Sequence, residues 1–295
     1  MAVEPDEFAQ RYLSGTHLYG DDFGPEEIAA WFADEAEGYS GLAASPGGEN
    51  AGYSYYALNE LHALRNLPDQ QFSRVLGVGS AYGHELLPFV GESSIVTILD
   101  PSEVMVNGPL DSRANVNRLR PTQSGEIMFG DGTFDLITCL GVLHHVPNVT
   151  FLLSEMYRVL LPGGTLVLRE PIVSLGDWRR ARAGLTLRER GIPLRLMDNL
   201  VATTGFNVRY RSLCVFSLTS RAGRLLKQVP FNSPSLVRVD RAVANAVRPL
   251  DRYHAKHWWE KIRPTSVYYV LTRPEVDHPK ITVSQAKPEQ EVLDT

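Results

Sequence analysis

The segment RVLGVGSAYGHELLPF, residues 74–89, constrains the fold more than any other part of the chain. An apolar run enters a cluster of small residues that includes Gly77, Gly79 and Gly83, and a helical pattern follows. A strand that ends in glycines and continues into a helix usually holds an anionic or nucleotide-like group at the helix N-terminus. The glycine spacing fits a dinucleotide-binding fold as well as a methyl-donor fold, so this segment alone leaves the cofactor open.

Strand-like and helix-like patterns alternate along the chain. Strands are predicted at residues 74–79, 94–100, 114–120, 134–140, 165–171, 206–218 and 264–273. Helices are predicted at residues 7–13, 25–36, 53–67, 150–160 and 192–204, and from about residues 84 and 102. Strands that alternate with helices predict an α/β fold built on a doubly wound, mainly parallel sheet of seven strands.

The chain divides into a helical N-terminal part, an α/β domain and a polar tail. We expect residues 1–70 to form a helical cover on the α/β domain of residues 71–273. Within that domain, residues 219–262 are too long for an ordinary connection and are predicted to be an inserted lid. The tail at residues 274–295 is polar and contains proline, which predicts disorder.

Charge is distributed unevenly along the chain, although the net charge is only −5. Residues 1–60 carry one base and twelve acids, whereas residues 171–263 carry eighteen bases and six acids. Such an imbalance fits either an attraction between two parts of one surface or a basic surface that faces an anionic substrate.

The cysteine content and the apolar runs indicate the cellular setting. Cys139 and Cys214 are too few for a disulfide framework and have no metal-ligating neighbour at a useful spacing. The acidic N-terminus lacks the pattern of a signal peptide, and no apolar run approaches the roughly 18 residues of a membrane span. The sequence therefore predicts a cytoplasmic protein without a metal or a membrane span.

Residues 134–171, FDLITCLGVLHHVPNVTFLLSEMYRVLLPGGTLVLREP, decide between the two cofactor classes. The FD that opens the fourth strand, the LHH at its end and the LPGG before the fifth resemble, in this order, a class I, seven-stranded methyltransferase that depends on S-adenosylmethionine. The resemblance is strongest to the type 11-like branch that contains the quinone-biosynthesis methyltransferases. It spans about residues 74–170, with residues 266–271 as an antiparallel seventh strand, and implies S-adenosyl-L-methionine as the cofactor.

The resemblance also implies a set of cofactor-binding residues at the ends of the first, second and fourth strands. These are Gly77, Gly79, Ser80, Ala81, Gly83, Asp100, Pro101, Ser102 and Leu140. Asp100 is expected to accept hydrogen bonds from both ribose hydroxyls; its alternative role is to cap the helix that follows. Glu126, Ile127 and Met128 are expected beside the adenine.

The turn after the first strand departs from the family pattern. Gly77 stands where the family usually has an acid that helps to fix the methionine end of the cofactor, and Tyr82 stands where it has a small residue. His84 and Glu85, in the first turn of the next helix, either supply the missing contact or are ordinary first-turn residues. The departure leaves open a degenerate, non-catalytic donor-binding or scaffold protein, although we expect catalysis.

The acceptor is expected beyond the carboxyl ends of the strands. His145 and Glu170 are the candidate catalytic residues there. His145 is the candidate proton acceptor, because a neutral imidazole can take up a proton near neutral pH. Glu170 is either an alternative base or the group that orients the imidazole. If the histidine pair is structural instead, proximity alone drives the transfer.

Residues 17–23, 169–193 and 253–264 resemble a group of bacterial methyltransferases that modify sugars and surface glycans. The aromatic and ionisable side chains of these segments suit a sugar ring. The expected reaction is therefore methylation of a hydroxyl on a saccharide or another small, including anionic, acceptor. A quinone or polyketide ring and an amino-sugar nitrogen are the alternative acceptors. The sequence contains no nucleic-acid recognition motif, which predicts no nucleic-acid partner.

Overall fold

The computed structural model describes residues 5–43, 53–68, 71–101, 108–178, 180, 182, 184–247 and 252–275. Within them the strands are β1 (Arg74–Val78), β2 (Ile95–Leu99), β3 (Asn115–Leu119), β4 (Phe134–Leu140), β5 (Leu160–Pro171), β6 (Asn207–Phe216) and β7 (Pro264–Thr272). The α-helices are α1 (Pro5–Phe8), α2 (Pro25–Ala43), α3 (Tyr56–His62), α4 (Val149–Val159), α5 (Leu194–Thr204), α6 (Ser217–Leu225) and α7 (Pro234–Ala246). A π-helical turn follows α1 at Ala9–Leu13, and short 3₁₀ helices cover Leu64–Asn66, His84–Phe89, Leu143–His145, Pro230–Asn232 and Trp258–Lys261.

The strands of the described residues form one sheet in the order β3-β2-β1-β4-β5-β7-β6. β1 pairs in parallel with β2 and β4, and the parallel pairing continues to β3 on one side and to β5 on the other. β7 is antiparallel to both β5 and β6. The predicted doubly wound, mainly parallel seven-stranded sheet is confirmed, and β7 is the antiparallel strand expected at residues 266–271.

Helices cover both faces of the sheet. On one face, α4 and α5 pack against a cluster that includes Leu76 and Ile137. On the other face, α3, α7 and the 84–89 helix pack against a cluster that includes Val75 and Leu136. Neighbours such as Val75 and Leu76 enter different clusters because successive side chains of a strand point to opposite faces. Edge strand β3 is half-buried at best, which explains why its sequence is a poor strand pattern.

The helices differ from the sequence prediction in four places. The helix predicted at residues 7–13 is divided into α1 and the π-helical turn. α2 continues to Ala43 instead of ending at residue 36. The helix predicted at residues 53–67 is divided into α3 and a separate 3₁₀ turn. The helix predicted from His84 is a six-residue 3₁₀ helix with Pro88 inside it. Proline lacks the N–H that an α-helix would need at that position, so the predicted helix takes the 3₁₀ form.

Residues 102–107 and 276–295 lie outside the described residues. The helix predicted to begin at Ser102 and most of the predicted tail therefore stay predictions. Among the helices that the structure describes, none is long and apolar enough to cross a membrane. The cytoplasmic location expected from the sequence stays a prediction.

The insertion at residues 219–262 is mostly helical in its first half. α7 packs against β6 and α3. The buried Asp240 of α7 accepts hydrogen bonds from the N–H groups of Val215 and Phe216, at 2.8 and 2.7 Å, where β6 ends. These contacts hold the first half of the insertion against the β6 edge of the sheet.

The N-terminal helical residues pack on loops at the carboxyl edge of the sheet. Trp31 of α2 is fully buried, and its indole N–H donates to the carbonyl of His145 at 2.8 Å. Before α2, Tyr19 stacks on Trp178, which follows β5, with ring centroids 5.3 Å apart. Helix α2 is thereby fixed beside the turn that follows β4.

Candidate active site

A cleft with about 1060 Å³ of empty space, partly open to solvent, lies at the carboxyl ends of β1, β2 and β4. Gly79 after β1, Asp100 after β2 and Gly141 after β4 all line it. The other walls come from α2, from the segment after β3 and from the turn after β4. In an open α/β sheet this edge, where the strand order reverses, is where ligands bind.

The turn between β1 and the 84–89 helix requires glycine at two positions. Gly79 has a φ of +63° and Gly83 a φ of +75°, in the left-handed region that other residues adopt only at a cost. A Cβ at Gly79 would overlap Val142, and a Cβ at Gly83 would overlap Leu110. The backbone of this turn can therefore come close both to the cleft and to the core.

The structure brings most of the predicted cofactor residues to this region. Four of them line the cleft: Gly79, Ala81, Asp100 and Pro101. Gly79 and Ala81 also line an adjoining cavity, together with Ser80 and Leu140; it has about 720 Å³ of empty space, partly open to solvent. Gly77 lies within β1 and Gly83 at the start of the next helix, and the linings of the two cavities include neither. Ser102 lies outside the described residues.

Asp100 connects the end of β2 to the turn after β1. Its Oδ2 accepts a hydrogen bond from the Ala81 N–H at 2.8 Å. The carboxylate thus holds the turn and lines the cleft at the same time. Its expected bonds to ribose hydroxyls stay a prediction.

The segment after β3 forms the opposite wall of the cleft. The Ile127 N–H donates to Glu155 at 3.0 Å, and the Ile127 carbonyl accepts from Arg158 at 2.9 Å. These bonds to α4 fix Glu126 and Ile127 at the wall. Met128, which the sequence also placed beside the adenine, is 70% exposed and does not line the cleft.

Glu170 is fully buried and holds the turn after β4. Its carboxylate accepts hydrogen bonds from the N–H groups of Val142 and Leu143, both at 2.8 Å, and lies 2.9 Å from Nδ1 of His144. Burial alone would raise the pKa of Glu170, but these hydrogen bonds hold it below its usual value. Glu170 is therefore an anion that orients the His144 ring, and it does not line the cleft.

His145 lines the cleft and is oriented by a residue of α2. Its Nδ1 lies 3.0 Å from a carboxylate oxygen of Glu35, whose other oxygen accepts a hydrogen bond from the Thr186 hydroxyl at 2.7 Å. A carboxylate at Nδ1 favours the tautomer in which Nε2 can accept a proton. Sequence reasoning missed Glu35, because it precedes His145 by 110 residues and belongs to no motif.

His144, His145 and Glu189 are close enough to hold a cation. A ring nitrogen of each histidine and a carboxylate oxygen of Glu189 lie within 4.8 Å of one another. Burial, and then the neighbouring His145, lower the pKa of His144, so its ring is neutral at neutral pH. The hydrogen bonds of the two rings with Glu170 and Glu35 already explain their orientation. We therefore interpret the group as a hydrogen-bonded network.

Arg190 supports the same turn from the protein interior. Its side chain is fully buried and donates, at 2.9–3.2 Å, to four main-chain carbonyls: those of Tyr19, Leu143, Val146 and Pro147. Nothing in the sequence pattern indicates this role, because every acceptor belongs to the main chain. The turn that carries His145 is thus held by Arg190 on one side and by Glu170 on the other.

The basic second half of the insertion lines a different feature, a polar surface groove. Arg252, His254 and Lys256 face N-terminal residues such as Ser14 and Thr16 across this groove. Among the described residues of the insertion, none lines the cleft. The expectation of a lid over the cleft is therefore not supported by the residues that the structure describes.

The residues at the cleft fit the cofactor that the sequence implies. Asp100 offers a carboxylate to hydroxyl groups, and Ile127 offers an apolar wall. Arg169 lines the adjoining cavity, and its Nη1 is buried without a hydrogen-bond partner among the described residues. A buried N–H of a guanidinium is costly to leave unpaired, which makes it a ready donor to an anionic group.

Comparison with known proteins classifies the central segment. Residues 75–168 match the family model of a methyltransferase domain. A demethylmenaquinone methyltransferase of Staphylococcus epidermidis is 34% identical over 115 residues, which cover 37% of this chain and 47% of that protein. A ubiquinone/menaquinone biosynthesis C-methyltransferase of Hydrogenovibrio crunogenus is 35% identical over 86 residues, 28% of this chain and 34% of that protein. The chain spans less than half the length of these curated relatives.

A solved structure shares the fold over most of the chain. The complex between the Haloferax volcanii Trm112 methyltransferase activator and a putative methyltransferase matches with a TM-score of 0.50 and 16% identity. The match covers 84% of this chain and 98% of that chain. At this identity the likeness extends to the fold alone.

Proposed function

We propose that this chain, whose residues 75–168 match the model of a methyltransferase domain, uses S-adenosylmethionine to transfer a methyl group to a hydroxyl of a small acceptor. The observation that carries the proposal is the His145–Glu35 pair at the wall of the cleft. A hydroxyl group loses its proton as the new bond to carbon forms, so the reaction is helped by a base beside the acceptor. An imidazole backed by a carboxylate is a common form of that base.

The donor, when bound, supplies a methyl group on a sulfonium that needs no further activation. The protein then has to hold the reactants in line and to exclude water. Asp100 and Ile127, which line the cleft, would hold the nucleoside part, and Phe32 of α2 lines the cleft from the N-terminal side. His145 accepts the proton of the acceptor, and Glu35 stabilises the resulting imidazolium.

Glu170 acts as a positioning residue in this scheme. It is fully buried and touches the turn after β4 and the His144 ring instead of the cleft. Its loss should disturb the position of His145 through the turn, without removing the base itself. This role replaces the alternative that Glu170 takes the proton.

Two acceptor classes remain to be compared. The saccharide expected from the sequence rests on aromatic segments in which Trp178 and Tyr253 are buried against each other. Trp258 and Trp259 are exposed, but they line neither the cleft nor the adjoining cavity. A hydroquinone-like ring is the second candidate, because Phe32, Val142 and Val146 give the cleft apolar walls. The names of the curated relatives refer to demethylmenaquinone and to ubiquinone/menaquinone biosynthesis, and one of them names a C-methyltransferase. Such a ring also carries a hydroxyl whose proton a base can remove.

The first experiment measures methyl transfer to a panel of saccharides, amino sugars and hydroquinones. S-Adenosylmethionine is the donor, and mass spectrometry locates the added methyl group. A product methylated on a hydroxyl oxygen supports the proposal. A product methylated only on nitrogen or carbon refutes the hydroxyl oxygen as the acceptor atom. Binding of the donor without any methylated product would support the non-catalytic alternative.

The second experiment tests the base. His145→Ala should lower turnover by about 100-fold or more and leave donor affinity within about threefold. His17→Ala is the matched control, because His17 is exposed and lines neither the cleft nor the adjoining cavity. The turnover of Glu35→Gln should lie between that of the wild type and that of His145→Ala. Near-normal turnover of His145→Ala would show that proximity alone drives the transfer.

A further inference from the structure

The cavity that adjoins the cleft contains two ionisable side chains of opposite charge. It shares Gly79 and Ala81 with the cleft, so the two spaces meet at the turn after β1. Glu85, from the 84–89 helix, and Arg169, from the end of β5, both line it. Its aromatic walls include Tyr55. A cavity that holds both a cation and an anion can bind a ligand that carries both charges.

The Arg169 guanidinium is held in place, but not all of its N–H groups have hydrogen-bond partners among the described residues. Its guanidinium lies over the Tyr55 ring, 4.1 Å from the centroid. Nη2 makes a long hydrogen bond of 3.4 Å to the Leu140 carbonyl, whereas the buried Nη1 has no partner among the described residues. A guanidinium stays charged at all accessible pH values and matches the geometry of a carboxylate. Arg169 therefore presents a positive charge with an N–H available to an anionic ligand.

Glu85 occupies the region where the missing acid of β1 would project. A Cβ added to Gly77 would overlap Ser80 and Leu86, so the packing leaves no room for an acid at position 77. The Ser80 hydroxyl hydrogen-bonds the Glu85 carboxyl, which is itself buried. Burial raises the pKa of Glu85 to about 7, so a ligand cation beside it can readily draw it into the charged form. Glu85 thus brings a carboxyl group next to Ser80, the residue that an added Cβ at Gly77 would meet.

We propose that Arg169 and Glu85 together bind the amino-acid end of the methyl donor, with Arg169 on the α-carboxylate and Glu85 on the α-ammonium. This inference rests on the proposed function. An α-amino acid carries its two charges on neighbouring atoms, so its site needs both counter-charges in one cavity. The nucleoside part of the donor lies in the adjoining cleft, and the shared residues Gly79 and Ala81 connect the two sites.

Calorimetry with two ligands tests the assignment. S-Adenosylhomocysteine carries the amino-acid end, whereas 5′-methylthioadenosine has the same nucleoside and sulfur without it. Arg169→Gln should weaken binding of S-adenosylhomocysteine by roughly 10- to 100-fold, the scale of a charged hydrogen bond. It should leave binding of methylthioadenosine within about threefold. Glu85→Gln should show the same selective loss, of roughly 10-fold.

Two further variants control for folding and for charge. Arg169→Lys keeps the charge but loses the planar fork, so it should retain part of the preference for S-adenosylhomocysteine. Arg65→Gln removes an arginine that pairs with Glu60 at the surface, and it should bind both ligands like the wild type. Because methylthioadenosine reports on the nucleoside site, its retention shows that each variant is folded.

The outcomes separate this inference from the proposed function. If Arg169→Gln keeps the wild-type ratio of the two affinities, the assignment of Arg169 is refuted and the methyltransferase proposal stands. If Arg169→Gln binds both ligands more weakly by the same factor, Arg169 has a structural role and the assignment is again refuted. If the wild type binds neither ligand, the proposed function fails.

Discussion

Replacing Glu85 by glutamine should stabilise the ligand-free protein at high pH. Burial raises the pKa of Glu85 from its usual 4.5 to about 7, although Ser80 and Arg169 favour the charged form. Because the pKa is higher in the folded state, the stability linked to this proton is complete below pH 4.5 and is lost as the pH rises through 7. At about 1.4 kcal/mol per pH unit, ionised Glu85 destabilises the fold by about 3 kcal/mol at pH 8.

Glutamine keeps the shape of the side chain and cannot ionise. The free energy of unfolding of Glu85→Gln should therefore exceed that of the wild type by about 3 kcal/mol at pH 8 and by less than about 1 kcal/mol at pH 5. For a chain of this size the gain at pH 8 corresponds to a melting temperature higher by about 6–12 °C. The same variant should bind S-adenosylhomocysteine more weakly, so stability and affinity change in opposite directions.

Urea unfolding at pH 5 and pH 8, followed by circular dichroism, measures these differences. Glu92→Gln is the matched control, because Glu92 is exposed and should show no pH-dependent gain. If the free energies of unfolding of Glu85→Gln and wild type differ by the same amount at both pH values, the role of the Glu85 proton is refuted. A loss of stability at pH 8 would show that the charge of Glu85 is compensated within the ligand-free fold.

Two further predictions concern the framework of the cleft. Gly83→Ala should lower the free energy of unfolding by about 1–3 kcal/mol, because its φ is +75° and a Cβ there would overlap Leu110. Gly91→Ala is the control, since no atom lies within 4 Å of its added Cβ, and urea unfolding of both variants checks the difference. Arg190→Met should lower the free energy of unfolding by about 3 kcal/mol or more, because four buried or partly buried carbonyls lose their donor. Thermal unfolding of Arg190→Met and of the control Arg113→Met, at an exposed arginine, checks this value. Equal melting temperatures of the two variants would contradict it.

The order of strands and helices was predictable because most of the strands are buried on both faces. Such strands have continuous apolar sequences, which stand out between amphipathic helices. β3 was the weakest strand prediction because an edge strand needs little apolar sequence. The apolar pattern predicted the helix at residues 84–89 but could not show its 3₁₀ type, since Pro88 acts on the hydrogen bonds of the main chain and not on that pattern.

The donor side of the site was more predictable than the acceptor side. The turn after β1 and Asp100 follow one another in a short motif, so local sequence is enough to find them. Glu35 and Arg169 reach the site through contacts with residues distant in sequence, and no local pattern marks them. The sequence also paired Glu170 with His145. In the structure Glu170 contacts His144, because the two adjacent rings of the turn face different carboxylates.

The contact between Glu35 and His145 has a consequence for how such a protein can diversify. The match to the methyltransferase-domain model covers residues 75–168, so Glu35 and Phe32, which contact or line the cleft, lie outside the matched segment. Under the proposed function, substitutions in α2 can therefore change which acceptor enters and how His145 is oriented without altering the matched segment. Acceptor specificity of this chain should then follow residues before the first strand as well as the turn after β4.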